Sequence, residues 1–207
     1  MMKSLLSLSL AALVGLTAGA AQATDFEIST SPLSTASYIS DADLETISGT
    51  SVQVSGTIST DLKDPSKTSG SFSIPVTSLL SGVPMRDEHM AGKDWLNAAE
   101  FPNITFAIKS LKLKGDNKAL TAGSSVQTDA TGDFTLHGVT KTITIPVRAS
   151  YREIAAGQVY GLEGNILRIE TSFSIKLSDY GVNIPAGLTA KVANELALTI
   201  KATAKQK

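Results

Sequence analysis

The chain has 207 residues, of which 42% are hydrophobic and 18% charged, and its formal net charge is −1. That length suits one domain or two small ones and is enough to bury a sizeable core. The near-neutral balance offers no basic excess for nucleic acid or an anionic membrane surface, and the absence of cysteine excludes disulfides, thiol nucleophiles and a lipid-modified cysteine anchor.

The N-terminus carries the first local signal. Lys3 precedes an apolar run from Leu5 to Ala21, and Ala21-Gln22-Ala23 fits the small-x-small pattern of a leader cleavage site. This predicts a signal peptide over 1–23 and a mature domain over 24–207. The expected location is the periplasm, with full secretion as the alternative. Ser7, Ser9, Gly15, Thr17 and Gly19 dilute the run and argue against a retained anchor. No later run reaches the roughly 18–20 apolar residues that a spanning helix needs, so no stable membrane anchor is expected.

From there the chain alternates apolar and polar residues. Val52, Val54, Gly56 and Ile58 share one parity, as do Phe72, Ile74 and Val76, and then Phe106 and Ile108. The phase slips before Leu111 and Leu113, which predicts a bulge near Lys109-Ser110. Phe134 and Leu136 follow, then Ile143 to Tyr151 at alternate positions, then Phe173, Ile175 and Leu177, and last Leu196, Leu198 and Ile200. Period-two spacing puts each set on one face of a strand. Thr and Ser fill many opposite positions, as suits a wet outer face. Reversals are expected at Asp64-Pro65, Gly115-Asp116-Asn117, His137-Gly138 and Gly157. About seven or eight strands at this spacing suggest an all-β barrel or sandwich.

One stretch, 77–97, breaks the pattern. Met85, His89 and Met90 have helical spacing, and Asp94 is placed to cap a short turn leading to Trp95 and Leu96. One or two short helices across a barrel end are expected there.

The segments RDEHM (86–90), DWLNAAEFPNITF (94–106), GDFTLHGVTKTITIPV (132–147) and LSDYGVNIP (177–185) stand in an order and spacing that resemble the YceI family. The resemblance runs from about Ile39 to Ala202. The HGVTK hairpin with its upstream G-x-F-T is its most specific part. It departs at the front, where STASYISDADLETISG (34–49) has no histidine, and at Trp95-Leu96, which replaces a paired-Phe element. The resemblance implies an eight-stranded antiparallel lipocalin-like barrel with an apolar cavity, binding a polyisoprenoid lipid such as an isoprenoid quinone or a prenyl diphosphate.

An eight-stranded barrel encloses room for one small ligand. Here one residue in two would line it, mostly Val, Ile, Leu and Phe. Burying a tail there contributes about 0.8 kcal/mol per CH₂, offset in part by lost freedom. The competing reading is that the same side chains fill the barrel as a dry core.

The candidate ligand-binding residues are Arg86, His89, Trp95, Phe101, Phe106, Phe134, Asp179 and Tyr180. Arg86 and His89 stand one helical turn apart, where they would meet a polar head group; alternatively Arg86 pairs with Asp87 or Asp94. Trp95, Phe101 and Phe106 either close over the ligand or pack the core. His137 in its tight hairpin is expected to bond backbone. Asp179 and Tyr180 also read as a turn carboxylate and a buried ring.

No catalytic or metal-ligating residue is expected, and no cofactor beyond a bound isoprenoid lipid. The chain has only His89 and His137 as histidines and lacks H-E-x-x-H, G-x-S-x-G and phosphate-loop motifs. The expected function is therefore carriage of that lipid, with a role in stress response. The alternatives are an enzyme acting on a lipid-like substrate in the same cavity, or a filled-barrel stress protein. A homodimer is left open.

Overall fold

The computed structural model describes residues 22–159 and 161–207, so the expected leader lies outside the described residues except for its last two positions. Ten strands form one antiparallel sheet. They are β1 (Thr24–Ile28), β2 (Thr35–Asp41), β3 (Thr46–Ser51), β4 (Ser55–Asp61), β5 (Asp64–Pro75), β6 (Asn103–Lys114), β7 (Ser125–Leu136), β8 (Val139–Val159), β9 (Leu162–Lys176) and β10 (Glu195–Gln206). Among the described residues one α-helix, α1 (Pro84–Ala91), lies between β5 and β6, with short 3-10 turns at Val76–Ser78, Leu177–Tyr180 and Ala186–Leu188.

Eight of the strands close on themselves in the order β1-β4-β5-β6-β7-β8-β9-β10, with β10 returning to β1. The closing seam is short: Phe26 pairs with Gln206 and Glu27 with Lys205. The same edge of β10 takes β2 earlier along its length, from Leu196↔Ser40 to Lys201↔Thr35. The β2–β3 hairpin therefore raises the wall on one side of the barrel, at the end where α1 lies. Its outer edge is tied down where Thr50 and Leu80 exchange backbone hydrogen bonds. No helix among the described residues is long and apolar enough to cross a membrane.

Alternation of side chains makes these strands. In β7, Val126, Thr128, Ala130, Gly132, Phe134 and Leu136 are buried, and the residues between them face out. Outward threonines pair across to β8, with Thr131 Oγ1 2.8 Å from Thr144 Oγ1 and Thr135 Oγ1 2.8 Å from Thr140 Oγ1. The bulge expected at Lys109-Ser110 is present: the β6–β7 register shifts between Ile108 and Ser110. The extra residue keeps both Ile108 and Leu111 pointing inward. The β7–β8 reversal falls at His137-Gly138, both with positive φ (50° and 75°), as a two-residue hairpin requires.

Four local expectations are corrected. The run Val52–Ile58 is not one strand. The chain bends between β3 and β4 where the hairpin leaves the ring, so Val54 is fully buried while Val52 is exposed. Asp64-Pro65 opens β5, and the reversal sits just before it, at Leu62-Lys63, where the Lys63 amide donates to Asp61 Oδ1 (2.9 Å). Gly157 lies within β8, which runs on to Val159 through an irregular stretch after Ile154. The short turn expected before Trp95 and Leu96 is present at 93–96, but it is held by Leu96 N–H to Met90 O (3.0 Å) and not by the Asp94 side chain.

Two apolar clusters divide the interior. The lower one gathers Phe26, Ile28, Val54, Ile58, Val126, Tyr151 and Leu167, with Ala202 and Ala204 wholly buried beside them. Leu120, on the loop between β6 and β7, plugs this end, its amide donating to Leu62 O (2.7 Å). The upper cluster gathers Val76, Leu96, Phe134, Leu136, Ile175, Leu177, Tyr180 and Val182. Phe26 stands at the closing seam, fully buried and edge-on to Tyr151 at 6.4 Å. Phe26→Ala is expected to destabilise the protein by about 3–5 kcal/mol, the range for emptying a buried Phe site. Urea unfolding checks this, and a cost below about 1 kcal/mol would show that the seam does not hold the barrel shut.

Candidate functional site

The barrel is hollow at the α1 end. A cavity of about 410 Å³ opens there, and a second of about 100 Å³ lies deeper between the clusters. Strand positions of inward parity form the walls of the upper one: Ala36, Tyr38 and Ser40 of β2, Ile74 of β5, Ile104 of β6, Leu136 of β7, Ile175 of β9, and Leu196, Leu198 and Ile200 of β10. Several of these, including Leu198 and Ile200, are only half-buried although they point inward, because they face the hollow. Ile74, Ile104, Phe134 and Ile200 touch both cavities and form a neck between them. Phe134 is held there edge-on to Phe173 (6.0 Å) and Tyr180 (5.5 Å).

The rim comes from loops and the helix. Val83, Met85, Arg86, His89 and Met90 descend from α1 and its approach, Trp95 and Leu96 follow, and Val182, Leu188, Lys191 and Val192 close the opposite side. Val83, Met85 and Leu188 line the cavity and stay exposed, which marks the opening. Pro84 starts α1 at a position where its missing N–H costs nothing. The helix then projects Arg86 and His89 one turn apart.

Several polar side chains at or beside the rim have protein partners. Arg86 Nη2 donates to Glu45 Oε1 at 2.6 Å, each side chain about a third exposed (32% and 35%). Such a pair contributes at most about 1 kcal/mol, so it fixes geometry more than it stabilises. Asp87 Oδ1 accepts from the Ser81 amide (2.8 Å) and hydroxyl (2.6 Å). Ser40 Oγ accepts from the Ala193 amide (2.9 Å).

Tyr38 is different. Its ring lies across Gly49, its partner on β3, where any Cβ would overlap it. Its hydroxyl is buried with no hydrogen-bond partner. Burial raises the phenol above its ordinary value near 10; Asp87 adds to the rise and Arg86 opposes it. The group is therefore a neutral, unmet donor at neutral pH.

The residues singled out from sequence separate into three groups. Arg86, His89, Trp95 and Phe134 line the upper cavity, and Phe106 lines the lower one with Phe134. Phe101, Asp179 and Tyr180 line neither. Phe101 packs edge-on to His137 at 5.1 Å, exposed Asp179 pairs with Lys141 at 3.2 Å, and Tyr180 is buried behind Phe134. His137 Nδ1 lies 3.1 Å from Tyr180 O, the backbone bond expected of it. Arg86 pairs with neither Asp87 nor Asp94 but with Glu45, which the hairpin brings over from 41 positions upstream. Sequence reading missed Tyr38, Glu45, Leu188 and Lys191. Tyr38 shares parity with Ala36 and Ser40, a signal too short and too polar to stand out.

Among known proteins, the chain matches the YceI-like domain over residues 24–204. It is 32% identical over 190 residues to Protein YceI of Escherichia coli O157:H7, covering 90% of this chain and 91% of that one. Burkholderia cenocepacia BcnA has a similar structure, with TM-score 0.66 and 23% identity, over 82% of this chain and 95% of that chain. So does a polyisoprenoid binding domain from Saccharophagus degradans, with TM-score 0.67 and 16% identity, over 90% and 100% respectively.

Leaving a buried hydroxyl unmet costs about 1–3 kcal/mol. Tyr38→Phe is therefore expected to stabilise the ligand-free protein, by about 1 kcal/mol. The urea midpoint of solvent-extracted protein reads this directly. A drop instead would mean that the hydroxyl has a partner in the free state.

Proposed function

The chain belongs to the YceI family, and we propose that it is a non-enzymatic carrier that holds one long-chain isoprenoid lipid, an isoprenoid quinone or a prenyl diphosphate, inside the barrel. The observation that carries this reading is the open, apolar upper cavity of about 410 Å³, continued by the lower one through a neck of four shared side chains. A barrel packed solid would leave no such volume. The tail would lie along Leu198, Ile200 and Ile104 toward Phe134, and the head would stay among Arg86, His89 and Tyr38. Affinity would come from apolar area removed from water, about 25 cal/mol per Å² before the cost of ordering the tail.

The engagement of several polar groups supports carriage over catalysis. Arg86 is held by Glu45, Asp87 by Ser81 and His137 by the Tyr180 carbonyl. The reading places the mature chain in the periplasm after removal of 1–23, ferrying a molecule that water will not dissolve, in a setting such as envelope stress. The name of the Saccharophagus degradans neighbour supports the same ligand class.

Organic extraction of the purified mature protein followed by mass spectrometry tests the proposal. A prenyl lipid near one per chain is the expected result. Leu198→Trp should fill the hollow and remove that lipid while the melting temperature holds, because the added ring enters existing space. An empty extract from well-folded wild-type protein, or lipid retained by the Trp variant, would overturn it.

A further inference from the structure

Among the described residues, the Tyr38 hydroxyl is the buried side-chain polar atom that nothing in the protein satisfies. Its neighbours on the hairpin and below it are all engaged: Ser37 with Thr50 (3.0 Å), Ser51 with Ser78 (2.7 Å) and Ser40 with the Ala193 amide (2.9 Å). Tyr38 points inward from β2, between Leu198 on one side and Gly49 on the other, and forms part of the cavity wall. At 8% exposure it is not waiting for bulk water. A buried donor in a cavity wall that no protein group meets is matched by an acceptor that arrives with the ligand.

We propose that Tyr38 is a specificity-determining residue that donates a hydrogen bond to an uncharged carbonyl oxygen on the ligand's head, and so selects a quinone-type ring over a diphosphate. This rests on the carrier reading above and narrows its ligand class.

Charge decides between the two heads. The groups facing this corner are Glu45, Arg86, Asp87, His89 and Lys191. Two cations, Arg86 and Lys191, stand against two carboxylates, and the Arg86 guanidinium is already bound to Glu45. Asp87 lies near enough to make ionisation of the Tyr38 phenol harder. A diphosphate entering here would face two carboxylates and would have to pull Arg86 from Glu45. A carbonyl accepts from Tyr38 without disturbing either. Gly49 is part of the device, since only a residue without Cβ lets the ring lie in this position.

Binding of three probes with one tail, a farnesylated benzoquinone, farnesyl diphosphate and the hydrocarbon farnesene, to delipidated mature protein tests the assignment. Trp95, the single tryptophan, lines the cavity and supplies a fluorescence signal, with calorimetry as a second measurement. Wild type should bind the quinone at least about tenfold more tightly than the diphosphate, and Tyr38→Phe should lose about tenfold for the quinone alone. Farnesene affinity should not change, which separates a lost hydrogen bond from a damaged cavity. Asp87→Asn should narrow the gap by improving diphosphate binding. Equal quinone binding by wild type and Tyr38→Phe overturns the assignment and leaves carriage intact, as does tighter binding of the diphosphate. If none of the three probes binds wild type, both readings fall.

Discussion

The closure of β10 onto β1 is the constraint on which the rest of the structure depends. Two residue pairs, at Phe26 and Glu27, turn a twisted sheet into a ring and give every strand in it an inside and an outside. Without the seam, β1 and β10 would each present unpaired backbone, and the inward parity would have no enclosed space to face. Phe26 and the wholly buried Ala202 and Ala204 pack the interior beside the seam, so burial of apolar area and closure of the hydrogen-bonded ring support the same geometry.

The two ends of the barrel use that ring in opposite ways. At the seam end, Leu120 and the lower cluster plug the barrel and leave only the smaller cavity, which they help to line. At the α1 end the ring is completed by the β2–β3 hairpin, loops and a short helix. These elements reach over the interior without filling it, and β10 leaves Leu196, Leu198 and Ile200 facing a hollow. Apolar walls around empty space forgo dispersion contacts that a filled core would have. An apolar guest, as proposed, would restore those contacts.

Polarity at the opening is arranged around that hollow. The Arg86–Glu45 pair joins α1 to the β2–β3 hairpin and holds the rim in one arrangement. Exposed Val83, Met85 and Leu188 give the opening an apolar lip, while Tyr38 holds a single unmet donor at the wall. The Arg86–Glu45 pair is thus set within the protein, and the proposed discrimination rests on one hydroxyl.

Much of this was legible in the sequence. Period-two alternation fixed which faces of β5 to β10 turn inward, the phase slip located the bulge at Lys109, and His137-Gly138 marked its hairpin, because each is a local consequence of strand geometry. The sequence motifs also pointed to the family. What the alternation could not decide was whether the inward set meets in a solid core or around a cavity, since both give the same pattern. Nor could it show that Phe101 and Tyr180, aromatic and well placed in sequence, pack behind the wall while Phe106 and Phe134 form it. The partners of Arg86 and the isolation of the Tyr38 hydroxyl were likewise invisible. They arise from the β2–β3 hairpin docking beside α1, contacts between segments some forty residues apart that no local spacing encodes.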